Sequence, residues 1–111
     1  MTRGTPDPLL RGTLELLLLQ ALNAEPRHGY AIARHIEQAT GDALRVEEGS
    51  LYPALHRLED RGLVGARWST TDGGRRVRVY SLTKAGRARL ADQKRGWTAF
   101  ARAVDRMVKA D

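Results

Sequence analysis

Apolar residues recur at helical spacing in the first third of the chain. The first run begins at Leu9 and is rich in leucine, with apolar positions at Leu10, Leu14, Leu17, Leu18, Ala21 and Leu22. Pro26 and Gly29 interrupt it, and a second run then extends to Gly41, with inward positions at Ile32, Ala33 and Ile36. Residues three and four apart lie on one face of a helix, so both runs predict helices. The first helix is expected to pack on more than one side.

A third helix is predicted to start at Ser50, because serine is a favoured N-cap residue. The pattern ends at Gly62, and its inward positions are Leu51, Leu55 and Leu58. With Ser50 as the cap, Pro53 takes the third helical position, the last at which a missing N–H is tolerated. The opposite face then carries Pro53, His56, Arg57 and Asp60.

Two alternating runs follow and predict a β-hairpin. Apolar residues take every second position, at Val64, Ala66 and Trp68 in the first strand and at Val77 and Val79 in the second. Asp72 and Gly73 lie between the strands. This dipeptide favours a two-residue turn in which both turn residues have positive φ.

A last helix is predicted to begin after Thr83, its N-cap residue. Its apolar stripe consists of Leu90, Trp97, Phe100, Ala101, Val104, Met107 and Val108. Little of the same domain is left to cover such a stripe. We therefore expect these residues to form a dimer interface with a second copy of the chain.

Three helices, a hairpin and a further helix form the order of a winged helix-turn-helix, so the fold class is mainly α with a small β-hairpin. The predicted organisation is a flexible tail over residues 1–8, a DNA-binding domain over 9–83 and a dimerisation helix over 84–111. In this architecture the helix before the hairpin enters the major groove with its N-terminal residues facing base edges. The hairpin, or wing, contacts the backbone or the minor groove.

The distribution of charge favours a polyanionic partner. The 111 residues have a net charge of +6, but residues 1–74 hold 8 Lys/Arg and 10 Asp/Glu, whereas residues 75–111 hold 11 and 3. This asymmetry favours nucleic acid over a membrane surface as the partner. A solvated arginine-rich surface has the same composition and is the alternative. The leucine run contains Glu15 and Gln20 and is too short to span a bilayer.

Two groups of residues are candidate DNA contacts. Arg75 and Arg76 lie at the predicted wing tip, where neighbouring glycines allow close approach to phosphates. Cations there release condensed counterions, so binding should weaken with salt. The third helix presents Ser50, Tyr52, His56 and Arg57 away from its leucine face. Ser50 has an alternative role as a cap only, and Tyr52 as an aromatic at the edge of the core.

The sequence contains no catalytic constellation. The three histidines lie on separate segments without the carboxylate spacing of a zinc site, Ser50 lacks the glycine of a nucleophile elbow, and cysteine is absent. Gly73 and Gly74 belong to a turn and lack the lysine of a phosphate-binding loop. The sequence therefore predicts a protein that is not an enzyme, with no cofactor and no metal.

Four segments resemble the PadR family of bacterial transcriptional regulators in order and spacing, in the short form with one C-terminal helix. They are LLRGTLELLLLQAL (9–22), HGYAIARHIE (28–37), EGSLYPALHRLEDRGLV (48–64) and GGRRVRVYSLTKAGR (73–87). The resemblance implies a cytoplasmic homodimer that binds an inverted-repeat operator in double-stranded DNA, usually as a repressor.

The resemblance also implies which residues face DNA, namely Tyr30, Ser50, Tyr52, Pro53, Gly74 and Arg75. Arg76 and Arg78 are added on the charge argument alone. His28 and Gly29 are instead expected to shape the turn before the second helix.

Trp97 has two roles open to it. Some multidrug-binding members of the PadR family stack flat aromatic ligands on a tryptophan of this helix, between the two subunits, and Trp97 has a similar place. Contact with a small aromatic effector is therefore one role. Interface core is the other.

Two further functions are compatible with the sequence. A protein–protein interaction module could use the same fold with vestigial DNA binding, and substitution of Arg75 and Arg76 would leave its function intact. A non-specific architectural DNA binder would show similar affinity for any duplex of sufficient length.

Overall fold

The computed structural model describes residues 8–110, which fold around one hydrophobic core. The elements are, in chain order, α1 (Pro8–Ala21), β1 (Arg27–His28), α2 (Gly29–Ala39), α3 (Glu48–Asp60), β2 (Val64–Thr70), β3 (Arg76–Leu82) and α4 (Lys84–Lys109). Three helices, a hairpin and a last helix occur in the predicted order, and β1 is an addition. Residues 1–7 of the predicted tail lie outside the described residues, and Pro8 is the first residue of α1.

The core is formed by α1, by one side each of α2 and α3, and by one face of the sheet. Leu18 and Leu19 are adjacent in α1 and both fully buried, so this helix is covered on more than one side, as its leucine run predicted. Ile32 of α2, Leu55 of α3 and Tyr80 of β3 meet them in the same cluster. Full burial of such an aliphatic side chain stabilises the fold by about 1.5–3 kcal/mol.

The three strands form an antiparallel sheet in the order β1-β3-β2. Val64 pairs with Leu82 and Ala66 with Tyr80, and these residues form the face of the sheet that contacts the core. Val77 and Val79, the apolar positions predicted for the second strand, lie on the other face and are only half-buried. The strand β1 escaped prediction because two residues are too few to show an alternation.

The start of α3 differs from the prediction. Both Ser50 N–H and Leu51 N–H donate to the carbonyl of Glu47, at 3.0 and 2.9 Å, so Glu47 is the N-cap residue. The prediction that Ser50 caps the helix is therefore wrong, and Ser50 lies within the first turn. Pro53 consequently lies inside the helix rather than at a tolerated position. The carbonyl that Pro53 leaves without a donor belongs to Gly49, an exposed residue that water can reach.

The end of α3 is defined by Gly62, as predicted. Gly62 has φ of +73°, a left-handed conformation that glycine adopts without a steric penalty. The N–H of Gly62 donates to the backbone carbonyl of Glu59, and the N–H of Leu63 donates to that of Leu58, both at 2.9 Å. This is the hydrogen-bond pattern of a Schellman motif. The chain therefore turns sharply from α3 into the hairpin.

The tip of the wing differs from the predicted two-residue turn. The strands end at Thr70 and Arg76, and five residues connect them. Gly74 N–H donates to the carbonyl of Thr71 at 2.9 Å, and Gly74 has φ of +83°, whereas Asp72 does not have positive φ. This is a tight turn followed by a glycine bulge, so the prediction of positive φ at Asp72 and Gly73 is wrong.

The helix α4 is attached closely to the segment that follows α3. Thr83 is its N-cap residue, as predicted, and its hydroxyl accepts from Gly86 N–H at 3.0 Å and donates to the carbonyl of Gly62 at 2.7 Å. Gly86 is buried, and a Cβ at this position would lie 2.0 Å from the carbonyl oxygen of Leu63. The absence of a side chain at Gly86 therefore permits this contact.

We expect Gly86→Ala to destabilise the fold by on the order of 1–3 kcal/mol, because the added methyl group must displace backbone rather than a side chain. Urea unfolding followed by circular dichroism measures the loss. Gly96→Ala is the matched control, since Gly96 lies in the same helix with open space where its Cβ would be. That substitution should raise stability by about 0.5–1 kcal/mol. Equal effects of the two substitutions would contradict the steric argument.

Candidate nucleic-acid interface

The helix α3 divides into a core face and an exposed face. Leu51, Ala54, Leu55 and Leu58 are buried in the core. Pro53, His56 and Arg57, three predicted DNA-facing residues, are all exposed on the other side, and Ser50 is half-buried. The acidic residue Glu48 in the first turn suits the positive end of the helix dipole but reduces its attraction for phosphate.

The start of α2 is fixed by His28, as predicted. Its Nδ1 accepts a hydrogen bond of 3.2 Å from Ala31 N–H, which makes His28 a side-chain N-cap. The ring of His28 stacks on that of Tyr30 with a centroid distance of 6.4 Å. Tyr30 is 66% exposed, so the predicted contact residue is free to reach a ligand outside the fold.

Tyr52 packs against the backbone at the start of α2. A Cβ at Gly29 would lie 2.6 Å from Cε1 of Tyr52 and 2.7 Å from its hydroxyl oxygen. Tyr52 is half-buried and packs against the core, so both of its predicted roles remain compatible with its position. Gly29 thus contributes more than the predicted turn, because it leaves the space that the Tyr52 ring occupies.

We expect Gly29→Ala to move the Tyr52 ring and to weaken DNA binding by about tenfold, the size of one base-edge contact. The unfolding free energy should change by less than about 1 kcal/mol, because a side chain rather than backbone yields. A double-mutant cycle with Tyr52→Ala, measured by fluorescence anisotropy on labelled DNA, checks the cause. The Gly29→Ala effect should disappear in the Tyr52→Ala background. An undiminished effect there would refute the proposed displacement of the ring.

The wing tip is held by Thr71, which the sequence reasoning did not single out. Thr71 N–H donates to the carbonyl of Arg75 at 2.8 Å, and Arg75 N–H donates to the hydroxyl of Thr71 at 3.1 Å. Gly74 and Arg75 are both exposed at this tip. In the described part of the chain, neither Arg75 nor Arg76 has a carboxylate within ion-pair distance, so both positive charges are available.

Trp68 is a second residue of the wing that sequence reasoning placed only in the strand pattern. It is 60% exposed, and the guanidinium of Arg76 lies over its ring at 4.7 Å from the centroid. This distance is within the range of a cation–π interaction. Trp68 therefore holds Arg76 in place on the wing surface. The sequence alone does not predict this contact, because Trp68 and Arg76 lie on different strands and meet only when the hairpin forms.

Arg78 differs from the other two wing arginines because its charge has an internal partner. Its Nη2 lies 2.8 Å from Oε2 of Glu59 on α3, and its guanidinium lies 5.9 Å from the ring centroid of Tyr80. Burial moves the pKa of the Tyr80 hydroxyl further above neutral pH, so the ring stays uncharged there. A DNA contact of Arg78 stays a prediction, and the pair with Glu59 fastens the wing to α3.

A cleft of about 480 Å³ separates the wing from the N-terminal ends of α2 and α3. It brings together half of the ten predicted DNA-contact residues, namely Tyr30, Tyr52, Arg75, Arg76 and Arg78. His28, Trp68 and Glu48 also line it. The other five predicted residues lie outside the cleft, on α3 and at the wing tip. Aromatic rings beside two unpaired cations form a surface suited to a sugar–phosphate backbone.

The second half of α4 extends beyond the core. Residues 94–110 are all exposed except Ala101, which is half-buried. Their apolar side chains include Trp97, Phe100, Val104 and Val108, and Met107 is 81% exposed. Leu90 does not belong to this surface, since it is 4% exposed and packs in the core of its own chain. Its assignment to the dimer interface is therefore wrong.

Trp97 and Phe100 contact each other on this helix, with ring centroids 6.2 Å apart and planes tilted by 41°. Exposed apolar patches of this kind mark interaction sites. In the described part of the chain, no helix has the length and apolar character needed to cross a membrane.

The fold and this surface define a winged-helix protein with an exposed recognition helix and a cationic wing. The chain matches the model of the transcriptional regulator PadR-like family over residues 18–92. It therefore belongs to this family of transcriptional regulators, as its sequence motifs predicted. Members of the family regulate transcription and are not enzymes, which confirms the predicted absence of catalysis and implies DNA binding.

The chain is similar to two curated relatives and to two solved structures. Transcriptional regulator Rv3488 of Mycobacterium tuberculosis is 42% identical over 78 residues, which cover 70% of this chain and 59% of that protein. An uncharacterised protein of Lysinibacillus sphaericus is 29% identical over 98 residues, 87% of this chain and 89% of its own.

A PadR family regulator from Eggerthella lenta has a TM-score of 0.79 at 28% identity, covering 93% of this chain and 88% of that one. A transcriptional regulator from Clostridium thermocellum has a TM-score of 0.84 at 22% identity, covering 92% and 99%. The predicted fold class, a winged helix with a long C-terminal helix, is confirmed.

Proposed function

We propose that the protein is a cytoplasmic, dimeric repressor that binds an inverted-repeat operator in double-stranded DNA. One observation carries the proposal, namely the cleft in which the N-terminal ends of α2 and α3 face the unpaired cations of the wing. A recognition helix that enters the major groove would bring Arg75 and Arg76 to the adjacent backbone. Repression is the activity that the family resemblance implies.

The contacts divide into positioning and reading groups. Arg75 and Arg76 neutralise phosphates and hold the protein on the duplex without reading sequence. Tyr52, His56 and Arg57 lie on or beside the exposed face of α3, where side chains reach base edges. Tyr30, at the start of α2, contacts the backbone next to the same groove.

The dimer is proposed to form through the exposed half of α4. Trp97 is 46% and Phe100 61% exposed, so about half of the roughly 150–250 Å² that such a side chain can bury is left for an interface. At about 25 cal/mol per Å², partial burial of both contributes several kcal/mol per subunit. A twofold axis through this contact would place two copies of α3 about 34 Å apart, one turn of DNA.

A small aromatic effector is proposed to act at the same seam. Trp97 is exposed on the side of α4 that would face the partner, and a flat ligand could stack on its ring. Such a ligand would relieve repression only if it favoured a different spacing of the two recognition helices.

The test is fluorescence anisotropy of the protein with its own upstream DNA and with a shuffled duplex, across about 50 to 300 mM salt. A preference of about a thousandfold or more for the upstream DNA supports an autoregulating repressor. Equal and salt-sensitive affinities would indicate a non-specific binder, in which case genome-wide selection of bound fragments decides whether another operator exists. Absence of binding at low salt would overturn the proposal and favour a protein–protein module.

A further inference from the structure

Glu15 of α1 is the centre of a cluster that joins three helices. Its Oε1 accepts a hydrogen bond of 2.6 Å from Nη1 of Arg61, at the end of α3. Its Oε2 accepts one of 3.0 Å from Nε of Arg89 and a further one from Nε2 of Gln93, both on α4. Each carboxylate oxygen therefore holds a different helix.

The charge of Glu15 is compensated within this cluster. Burial alone would raise the pKa of its carboxyl, but hydrogen bonds and positive charge from Arg89 and Arg61 outweigh burial and hold it below 4.5. Glu15 is thus ionised at neutral pH. The side-chain oxygen of Gln93 is buried and has no hydrogen-bond partner among the described residues, so the bond to Glu15 is what orients this amide.

The cluster lies at the joint between the recognition helix and α4. Arg61 is the C-cap residue of α3, and the next two residues contact the start of α4 through Thr83 and Gly86. These contacts fix where α4 begins. Arg89 and Gln93 lie about one and two turns further along α4, so their bonds to Glu15 fix the direction in which the helix leaves the domain.

We propose that Glu15 is a positioning residue that sets the angle between α3 and α4, and through it the half-site spacing that the dimer accepts. This inference rests on the proposed dimeric DNA-binding function.

A small rotation at this joint has a large effect on DNA spacing. Val104, in the exposed apolar half of α4, lies 15 residues beyond Arg89, which is about 22 Å along a helix. A rotation of about 9° over that length moves one end by about 3.4 Å, the rise of one base pair. Selection between operators that differ by one base pair in spacing therefore requires a stiff joint.

The first test compares operators whose half-sites are moved closer or further apart by one and two base pairs. The native protein should lose at least tenfold in affinity for a change of one base pair. Glu15→Gln, which keeps the shape but not the charge, should reduce this penalty to less than threefold and leave affinity for an isolated half-site unchanged. Asp92→Asn is the control, because among the described residues Asp92 pairs with Arg95 alone, within α4, and the variant should keep the native profile.

The second test needs no DNA. The chain has no cysteine, so His56→Cys introduces a single site for a spin label on α3 of each subunit. Pulsed electron paramagnetic resonance then measures the distance between the two labels in the dimer. Glu15→Gln should broaden a narrow distance distribution, and Asp92→Asn should not.

An unchanged distribution and an unchanged spacing profile would overturn the inference. A uniform loss of affinity that includes the half-site would also overturn it, since that result indicates a folding defect. No DNA binding by the native protein would instead overturn the proposed function.

Discussion

Replacing Phe100 by aspartate is expected to convert the protein from a dimer to a monomer and to lower its operator affinity by about 10²–10⁴-fold. Phe100 is 61% exposed in the single chain and lies beside Trp97, in the middle of the exposed apolar stripe of α4. An unpaired carboxylate buried in an apolar interface carries a large desolvation cost. Loss of the second recognition helix removes the gain from bivalent binding, which accounts for the size of the effect.

The oligomeric state is measured by analytical ultracentrifugation and the affinity by anisotropy on the same samples. Ala99→Asp is the matched control, because Ala99 is exposed on the opposite side of the same helix and gains the same charge. This variant should remain dimeric and bind DNA like the native protein. Circular dichroism should show both variants folded, since neither position contributes to the core. A Phe100→Asp variant that stays dimeric, or a monomer with native operator affinity, would contradict the proposed role of α4.

The elements could be predicted from sequence because each is encoded locally. Leucine spacing predicted the core face of α3 and, in α1 and just after it, the buried Leu14, Leu18 and Leu22, but it missed Leu19, and the side chain of Leu10 lies outside the described ones. Gly62 marked the end of α3, where the backbone has positive φ. Thr83 could be predicted as a cap because its hydroxyl accepts from the N–H of Gly86, only three residues away. A signal confined to a few neighbouring residues is visible without the fold.

The predictions that were wrong concern places where several local signals compete. Ser50 is a better capping residue than Glu47, but the backbone turns at Glu47 and the helix begins there. At the wing tip, Gly74 rather than Asp72 and Gly73 adopts positive φ, because a bulge after the turn restores the strand register. Leu90 belonged to the predicted stripe by periodicity, yet the start of α4 lies on the core.

The parts of the site that were missed depend on contacts between distant residues. Glu15 bonds to Arg89 across a sequence separation of 74 residues, and Arg78 meets Glu59 across 19. Trp68 faces Arg76 only because the hairpin brings their strands together. No spacing rule within a single segment encodes such pairs, so their discovery required the folded chain.

Substitution of both Arg75 and Arg76 by alanine is expected to weaken binding to every duplex and to flatten its salt dependence. Each lost phosphate contact lowers the slope of log affinity against log salt by about 0.9, so two contacts lower it by about 1.8. The ratio of native to variant affinity should therefore fall by about twelvefold when salt is raised from 50 to 200 mM. Titrations at four or more salt concentrations, on operator and shuffled DNA, measure the slope.

Arg102→Ala with Arg106→Ala is the control for the wing substitutions, because it removes two exposed positive charges from α4 and leaves the same net charge. If the effect were a general one of net charge, both double variants would show the same change in slope. A contribution located at the wing predicts a change of less than about 0.5 in the control, as expected for charges about a Debye length or more from the DNA. Phosphate contacts carry no sequence information, so the wing variant should lose similar factors on both duplexes. A loss confined to the operator would assign these arginines to base reading instead, and an unchanged slope would remove the wing from the interface.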